Sequence, residues 1–474
     1  MRTEHRVLPA LIYALIFFIA VVITSNTAFA TAASQADSGA PKQADASPLP
    51  DDRYKADILV VIAHPDDETL ISGYLAKAAL DDGKRVDVVF TTRGNAGDNE
   101  VGYEQAAALA DMREIEARQA LASIGITNVW FLDAPDTPAR DIHNVLRSLE
   151  TANHGATVQK IVRFMRLTRP GVVITFLPSV VVGENHEDHQ ASGVMATEAF
   201  DLAGDPTRFA EQVSFPDDRT GYGNLTEGLR PWQPQKLYYF SDASHTDFLK
   251  GKGLEFAMTG TSASRHVPYY RLKAIESSYY LTQIGVGADG VRALKTDDFS
   301  EFDPPEFFVL GKSTVKASVS GDLVEGVSSS PVSFAPVRGY QPPSQHGVSV
   351  ELGDPWSFYG KFWKAHNLDQ LADLLPVPEI GIGGGALLPV QVLIHNDTDQ
   401  DRAVTLRMTL PAGWTEKSGT ARYPVRAHDV YPVRVFLLAP PSKEGTWHTL
   451  RFYPDSDTAS GSADLRVYVG KGPE

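Results

Sequence analysis

Six consecutive apolar residues, Ile58-Leu59-Val60-Val61-Ile62-Ala63, end at a polar cluster, His64-Pro65-Asp66-Asp67-Glu68. A run that short falls below helix length, and its β-branched content suits a strand buried on both faces, as in a parallel sheet. Thr69 to Leu80 reads as the helix leaving that strand. The cluster therefore stands at a strand's carboxyl end, the edge where open α/β sheets bind ligands. Two carboxylates and an imidazole crowded there oppose each other's ionisation, and a divalent cation relieves the conflict. If the segment tightens into a helical turn, His64 and Asp67 share a face and Asp66 points elsewhere. The same letters also suit an acidic helix start, because Asp, Glu and Pro favour a first turn.

A second cluster repeats the arrangement. Val172-Val173-Ile174-Thr175-Phe176 is another buried-strand run, and after a loop Asn185-His186-Glu187-Asp188-His189 opens a helix. His189 completes a His-Asp-His set with one position left to water, the open arrangement of a catalytic rather than a structural zinc. Asp188 and His186 are too close in sequence to share a helix face, but in a loop the carboxylate can orient the imidazole.

Ala63-His64-Pro65-Asp66-Asp67-Glu68 together with His186-x-Asp188-His189 closely resembles the PIG-L/LmbE-like zinc-dependent N-deacetylases, which act largely on N-acetylglucosaminyl groups. Thr92-Arg93-Gly94-Asn95-Ala96-Gly97 looks like the family's Thr-Arg-Gly-Glu-Ala-Gly loop, and Arg113-Glu114-x-Glu116-Ala117 falls on its following helix. The resemblance is strong over about residues 57–200 and weaker to 312. It implies metal ligands at His64, Asp67 and His189, a general base at Asp66, and an oxyanion-stabilising histidine at His186, which Asp188 orients. It makes Arg93 and Asn95 substrate-binding residues. The implied cofactor is Zn2+, with another divalent ion such as Fe2+ as the alternative. Asn95 replaces the family's usual Glu, Glu184 stands where some members carry a tyrosine, and Glu187 replaces a common proline. Near Tyr269 to Gln283, where members often carry His-x-Ser-Gln, only the helix carries over.

The rest of the chain places these motifs. Arg2 and Arg6 precede an apolar run from Leu11 to Ile23 and the small-x-small Ala28-Phe29-Ala30, so residues 1–30 read as a secretory signal peptide, an uncleaved anchor being the competing reading. Residues 31–53 read as a flexible linker, and no span is expected after signal removal. The expected location is secreted or periplasmic; with no cysteine in the chain, neither disulfides nor a lipoprotein anchor is expected.

From residue 54 to 315 strand and helix alternate: Val86–Phe90, a helix over about Tyr103–Ile124, Val129–Leu132, a helix over Val158–Leu167, and Lys236–Phe240. Repeated βα units predict a doubly wound, mostly parallel, Rossmann-like sheet. His245 and His266 are further histidines that could line its site. Residues 316–385 read as a linker region ending in a Gly381-Ile382-Gly383-Gly384-Gly385 hinge. Alternating strands at Leu388–Ile394, Ala403–Leu410, Val430–Leu437 and Ala463–Val469 then predict an Ig-like β-sandwich over 386–474. Its Leu410-Pro411-Ala412-Gly413-Trp414 resembles a turn of the NEW3-type modules appended to extracellular carbohydrate enzymes.

A net charge of −16 argues against nucleic acid as a partner and leaves neutral sugars compatible. The expected function is an exported zinc-dependent hydrolase that removes the N-acetyl group from an N-acetylglucosamine-containing sugar or glycoconjugate. Alternatives are an amidase acting on a larger acyl group, or a non-catalytic glycan-binding protein on the same fold. Oligomeric state is not legible.

Overall fold

The computed structural model describes residues 50–137, 145–183, 186–214, 227–342, 346–419, 421–442 and 444–470. The expected signal segment and nearly all of the 31–53 linker lie outside them. Among the described residues no helix is long and apolar enough to cross a membrane.

The buried apolar runs become five parallel strands: β1 (Ile58–Ile62), β2 (Val86–Phe90), β3 (Asn128–Phe131), β4 (Val172–Phe176) and β5 (Lys236–Phe240). β6 (Gly253–Phe256) and β7 (Glu306–Ser313) extend the sheet antiparallel, in the order β3-β2-β1-β4-β5-β7-β6. All five residues of β1 are buried because helices cover both faces. Leu59 and Val61 pack towards α3 (Val145–Thr151), α4 (His154–Thr168) and α5 (Glu187–Leu202). Ile58, Val60 and Ile62 pack towards α1 (Ser72–Ala76), α2 (Ala107–Ser123) and α6 (Tyr269–Ser277). Each such aliphatic side chain stabilises the fold by about 1.5–3 kcal/mol. α7 (Val286–Thr296) packs beside α6. Strand order reverses between β1 and β4, so the crevice at a doubly wound sheet's switch point opens between the ends of the two strands that carry the polar clusters.

The C-terminal part is all-β apart from one helix. β8 (Val348–Leu352), β10 (Leu387–Asn396), β12 (Thr415–Glu416) and β14 (Asp429–Leu438) form a four-stranded sheet. β9 (Glu379–Gly383), β11 (Arg402–Thr409), β13 (Arg422–Val425), β15 (Thr446–Asp455) and β16 (Ala463–Gly470) form a five-stranded one. Alternation does the work: Val433, Val435 and Leu437 are buried on β14 while Arg434 and Phe436 are exposed. One core takes inward residues from both sheets, Val392 and Val435 from one, Leu450 and Val467 from the other, so the sheets pack face to face.

Residues 316–385 are not simply a linker. β8 pairs with β10 in one sheet, and β9 pairs in parallel with β16 in the other. Between them α8 (Asp354–Ala365) crosses to the α/β domain, where Tyr359 and Phe362, with Leu368, Leu371 and Leu374 behind them, join the core against α4 and α5. Tyr359 Oη donates to Gln190 Oε1 at 2.6 Å and Trp363 Nε1 to the Pro178 carbonyl at 2.9 Å. The glycines read as a hinge begin inside β9, where Gly381 packs closely against Val182: a Cβ there would lie 3.1 Å from Val182 Cγ1.

Candidate active site

The cluster after β1 is folded by its own backbone. Asp67 Oδ2 accepts from the amides of Ala63, at 2.9 Å, and His64, at 2.7 Å, which curls the chain back on itself as it leaves the strand. That leaves Oδ1 facing outward, 3.7 Å from His64 Nδ1 and 3.1 Å from His189 Nε2. His189 comes from α5, after β4, and its ring stacks on Phe176 at 4.3 Å and 3°. One donor atom from each of His64, Asp67 and His189 lies within 4.8 Å of the others. The strand-end clusters thus meet across the β1–β4 switch point.

Asp66 has φ 110°, in the left-handed region that an aspartate adopts at a cost of about 1–3 kcal/mol. Such strain persists where surrounding structure over-determines it, and Asp66 is not among the donors that group with Asp67. Burial and then the Asp67 charge hold its carboxyl well above the usual range. For Asp67 burial acts in the same direction, but His189 and His64 outweigh it and hold that carboxyl well below the range. Adjacent carboxylates are thereby pushed apart, one towards proton uptake and one towards permanent charge.

His186 caps α5. Its Nδ1 accepts from the Asp188 amide at 3.3 Å, which leaves the ring proton of the neutral tautomer on Nε2. The expectation that the Asp188 carboxylate orients this ring is not met: Asp188 Oδ2 is 3.8 Å from His186 Nδ1. That carboxylate instead accepts from the Thr137 amide and hydroxyl, both at 2.9 Å, and from Ser148 Oγ, and stands 3.5 Å from His64 Nε2. The helix start turns the Asp188 side chain into the protein, towards the β3–α3 connection. Burial, then the neighbouring His64 and His189, pushes the His186 pKa down to about 3.

Two carboxylates stand behind the clustered imidazoles. Asp242, just after β5, places Oδ2 3.1 Å from His189 Nδ1. Asp136, after β3, places Oδ1 3.0 Å from His64 Nε2 while its Oδ2 accepts from the Ala96 amide at 2.7 Å. The donor set fits a divalent cation of zinc or ferrous character: two imidazole nitrogens and one carboxylate oxygen turned to a common point, their remaining atoms engaged by backbone or carboxylate. Neither Asp136 nor Asp242 was read from the sequence as a site residue. The only signal was position, each following a buried run at the same sheet edge.

Arg93 does not stand free. Its Nη2 pairs with Asp111 at 2.5 Å and Glu114 at 3.0 Å, both on α2, because the loop doubles back over that helix. Asn95 lies half-buried in the same loop, which is held by Arg113: Nη1 donates to the Gly94 carbonyl and Nη2 to that of Asp98 at 2.8 Å. Gly94, at φ 66°, needs its missing side chain, since a Cβ would meet Arg113 Nη1 at 2.7 Å. The segment after α6 braces the first cluster: Gln283 Nε2 donates to the Pro65 carbonyl and Tyr280 Oη to Glu68, whose carboxyl burial pushes up to about 7. His245 and His266 lie outside the cluster; His245 Nε2 bonds Glu379 at 2.7 Å and His266 is exposed. Glu184 and Asn185 fall outside the described residues.

Residues 59–200 match the family model described as PIG-L, GlcNAc-PI de-N-acetylase. The chain is 27% identical over 300 residues to a 1D-myo-inositol 2-acetamido-2-deoxy-alpha-D-glucopyranoside deacetylase of Catenulispora acidiphila, covering 57% of this chain and 89% of that protein. Deacetylases bearing the same name from Kineococcus radiotolerans and Rhodococcus opacus are 31% and 32% identical, each over 38% of this chain. This chain spans 50% and 60% of those two relatives' length. Among solved structures, the N,N'-diacetylchitobiose deacetylase of Pyrococcus horikoshii aligns with 56% of this chain and 86% of its own, at 17% identity and a TM-score of 0.36.

Proposed function

In a chain whose residues 59–200 form a PIG-L family domain, we propose a metal-dependent N-deacetylase that hydrolyses the acetamide of an N-acetylglucosamine-containing saccharide. The observation that carries this reading is the convergence of His64, Asp67 and His189 on one point, with Asp66, whose backbone is left-handed, adjacent in the chain but outside that set. The names of the relatives from Catenulispora acidiphila, Kineococcus radiotolerans and Rhodococcus opacus, each a deacetylase of an acetamido sugar, support the substrate class.

His64 Nδ1, Asp67 Oδ1 and His189 Nε2 would hold the cation, which when bound supplies Lewis acidity towards water and the amide carbonyl. Asp66 takes the proton from the attacking water. His186, with Nε2 as its donor, stabilises charge developing on the amide oxygen. Asp188 contributes by ordering its surroundings: its backbone holds His186, and its carboxylate ties Thr137 and Ser148 beside His64. Asp66 then returns the proton to the departing amine. Arg93, paired with Asp111 and Glu114, shapes the pocket wall through its loop, and Asn95 on that loop meets the sugar.

Export belongs to the proposal, supported by the basic start, apolar run and Ala28-x-Ala30 of the sequence. The decisive test couples metal content with acetate release from N-acetylglucosamine and chitooligosaccharides. Bound metal with no acetate from any acetamido sugar would sink the deacetylase reading in favour of a glycan binder or an amidase for a larger acyl group.

A further inference from the structure

The loop that carries Asp242 continues into a second feature. Residues His245, Asp247 and Phe248 form one wall of a cleft of about 330 Å³. Pro376, from the segment returning to the sandwich, and Trp447 and Arg466, from the five-stranded sheet, form the others. Clefts of this size at domain junctions are where small ligands bind.

Its chemistry selects a ligand class. Trp447 points outward from β15 and is 40% exposed, a large apolar surface left facing solvent. His245 and Tyr468 meet its ring edge-on at 5.8 and 5.4 Å, and the Arg466 guanidinium lies over one face, 4.2 Å from the ring centre, so the indole is held in one orientation and only its opposite face can take a stacking partner. The Arg466 charge is matched by Glu379, fully buried, whose Oε2 lies 3.7 Å away. Glu379 Oε1 is occupied, bonded to His245 Nε2 at 2.7 Å and accepting from the Val182 amide at 3.2 Å. The cleft therefore offers one fixed aromatic face, guanidinium donors without excess positive charge, and an acceptor in Asp247, whose Oδ1 already accepts from Lys250 Nζ at 3.0 Å. A chain of net charge −16 does not favour an anion there. A neutral ring with an apolar face and a hydroxylated rim fits all of these at once: a sugar.

We infer that this junction is a saccharide subsite that stacks a second sugar ring on Trp447 while the reacting residue occupies the Asp67 cluster. The inference rests on the proposed deacetylase reading for the identity of the glycan. Proximity supports it: Asp242 touches His189, and the Cα atoms of residues 242 and 245 are separated by at most about 11 Å of extended chain. The sandwich thus supplies binding surface for a longer glycan rather than a remote anchor.

The test uses the full chain carrying Asp66→Asn to prevent turnover, titrated calorimetrically with N-acetylglucosamine and with its β-1,4-linked tetramer, tetra-N-acetylchitotetraose. The tetramer should bind at least about tenfold more tightly than the monomer, from contacts of the size expected for one aromatic platform. Trp447→Ala should abolish most of that gain, and Trp447→Phe should keep most of it. Equal affinity for both sugars, or a length gain unchanged in Trp447→Ala, overturns the subsite. Acetate release from the monosaccharide by the unsubstituted chain is read separately. Its absence overturns the deacetylase reading, whereas a Trp447-dependent length gain would still establish the subsite.

Discussion

Asp242 Oδ2 stands 3.1 Å from His189 Nδ1, so a carboxylate at the end of β5 fixes an imidazole delivered by the helix after the neighbouring strand β4. An imidazole whose far nitrogen is held by a carboxylate is a stronger and better-aimed ligand. Asp242→Ala should lower metal affinity roughly 10–100-fold, and His189→Ala by more, measured by competition with a chelator of known affinity. Equal affinity in Asp242→Ala and the parent chain would remove Asp242 from the site.

Binding and chemistry should separate at adjacent residues. His64→Ala and Asp67→Ala each delete a donor from a set of three and should lose the metal. Asp66→Asn keeps shape and polarity, so metal should stay while turnover falls by roughly 10²–10⁴-fold, the usual effect of losing a general base. His186→Ala should resemble Asp66→Asn in retaining metal. An Asp66→Asn protein that loses its metal would make Asp66 a ligand instead.

Asp87 predicts a pH-dependent stability unrelated to catalysis. It sits on β2, 1% exposed, and burial raises its pKa to about 7 against the hydrogen bond from Asn128. The unfolded chain releases this proton near its ordinary value of 3.8, so the folded state binds more protons between about pH 4 and pH 7. Its contribution to stability is therefore greatest below that window and declines as pH rises through it, then stays level above about 7. Asp87→Asn should remove the decline and exceed the parent by about 2–4 kcal/mol at pH 8 relative to pH 4, the size expected for a shift of this order. Urea unfolding curves at both values, with a pH-independent difference between the chains, would contradict the assignment.

A chain ending at Val315 should not fold as an independent catalytic unit. It lacks Tyr359, Phe362, Leu368, Leu371 and Leu374, all buried against α4 and α5. Losing one large apolar side chain from a core costs about 2–5 kcal/mol, against a typical total stability of about 5–15 kcal/mol. Differential scanning calorimetry should show no cooperative transition for the shortened chain, and an unchanged transition would show that α8 is dispensable. Tyr359→Phe in the full chain, which removes the hydroxyl that donates to Gln190, should cost about 1 kcal/mol.

The sequence by itself determined those parts of the protein whose physics is local. The run Ile58–Ile62 is apolar on every position, so it had to be a strand covered on both faces. That His64, Asp67 and His189 stand at strand ends and helix starts was legible because such positions are set by neighbouring residues, and the Asp67 turn joins residues only four apart. Tertiary structure decided which edges meet. Asp136 and Asp242 stand beside His64 and His189 only because β3 and β5 end at the same edge as β1 and β4, an ordering that depends on long-range pairing. Asp188 was assigned to His186, its neighbour in the chain, for the same reason: the groups its carboxylate accepts from, Thr137 and Ser148, lie 51 and 40 residues away. The Gly381-Ile382-Gly383 stretch looked like a hinge because glycine carries no pattern. Its role in β9 came from Gly470 and the residues before it on β16, and from the nearness of Val182, none of which is adjacent in the chain.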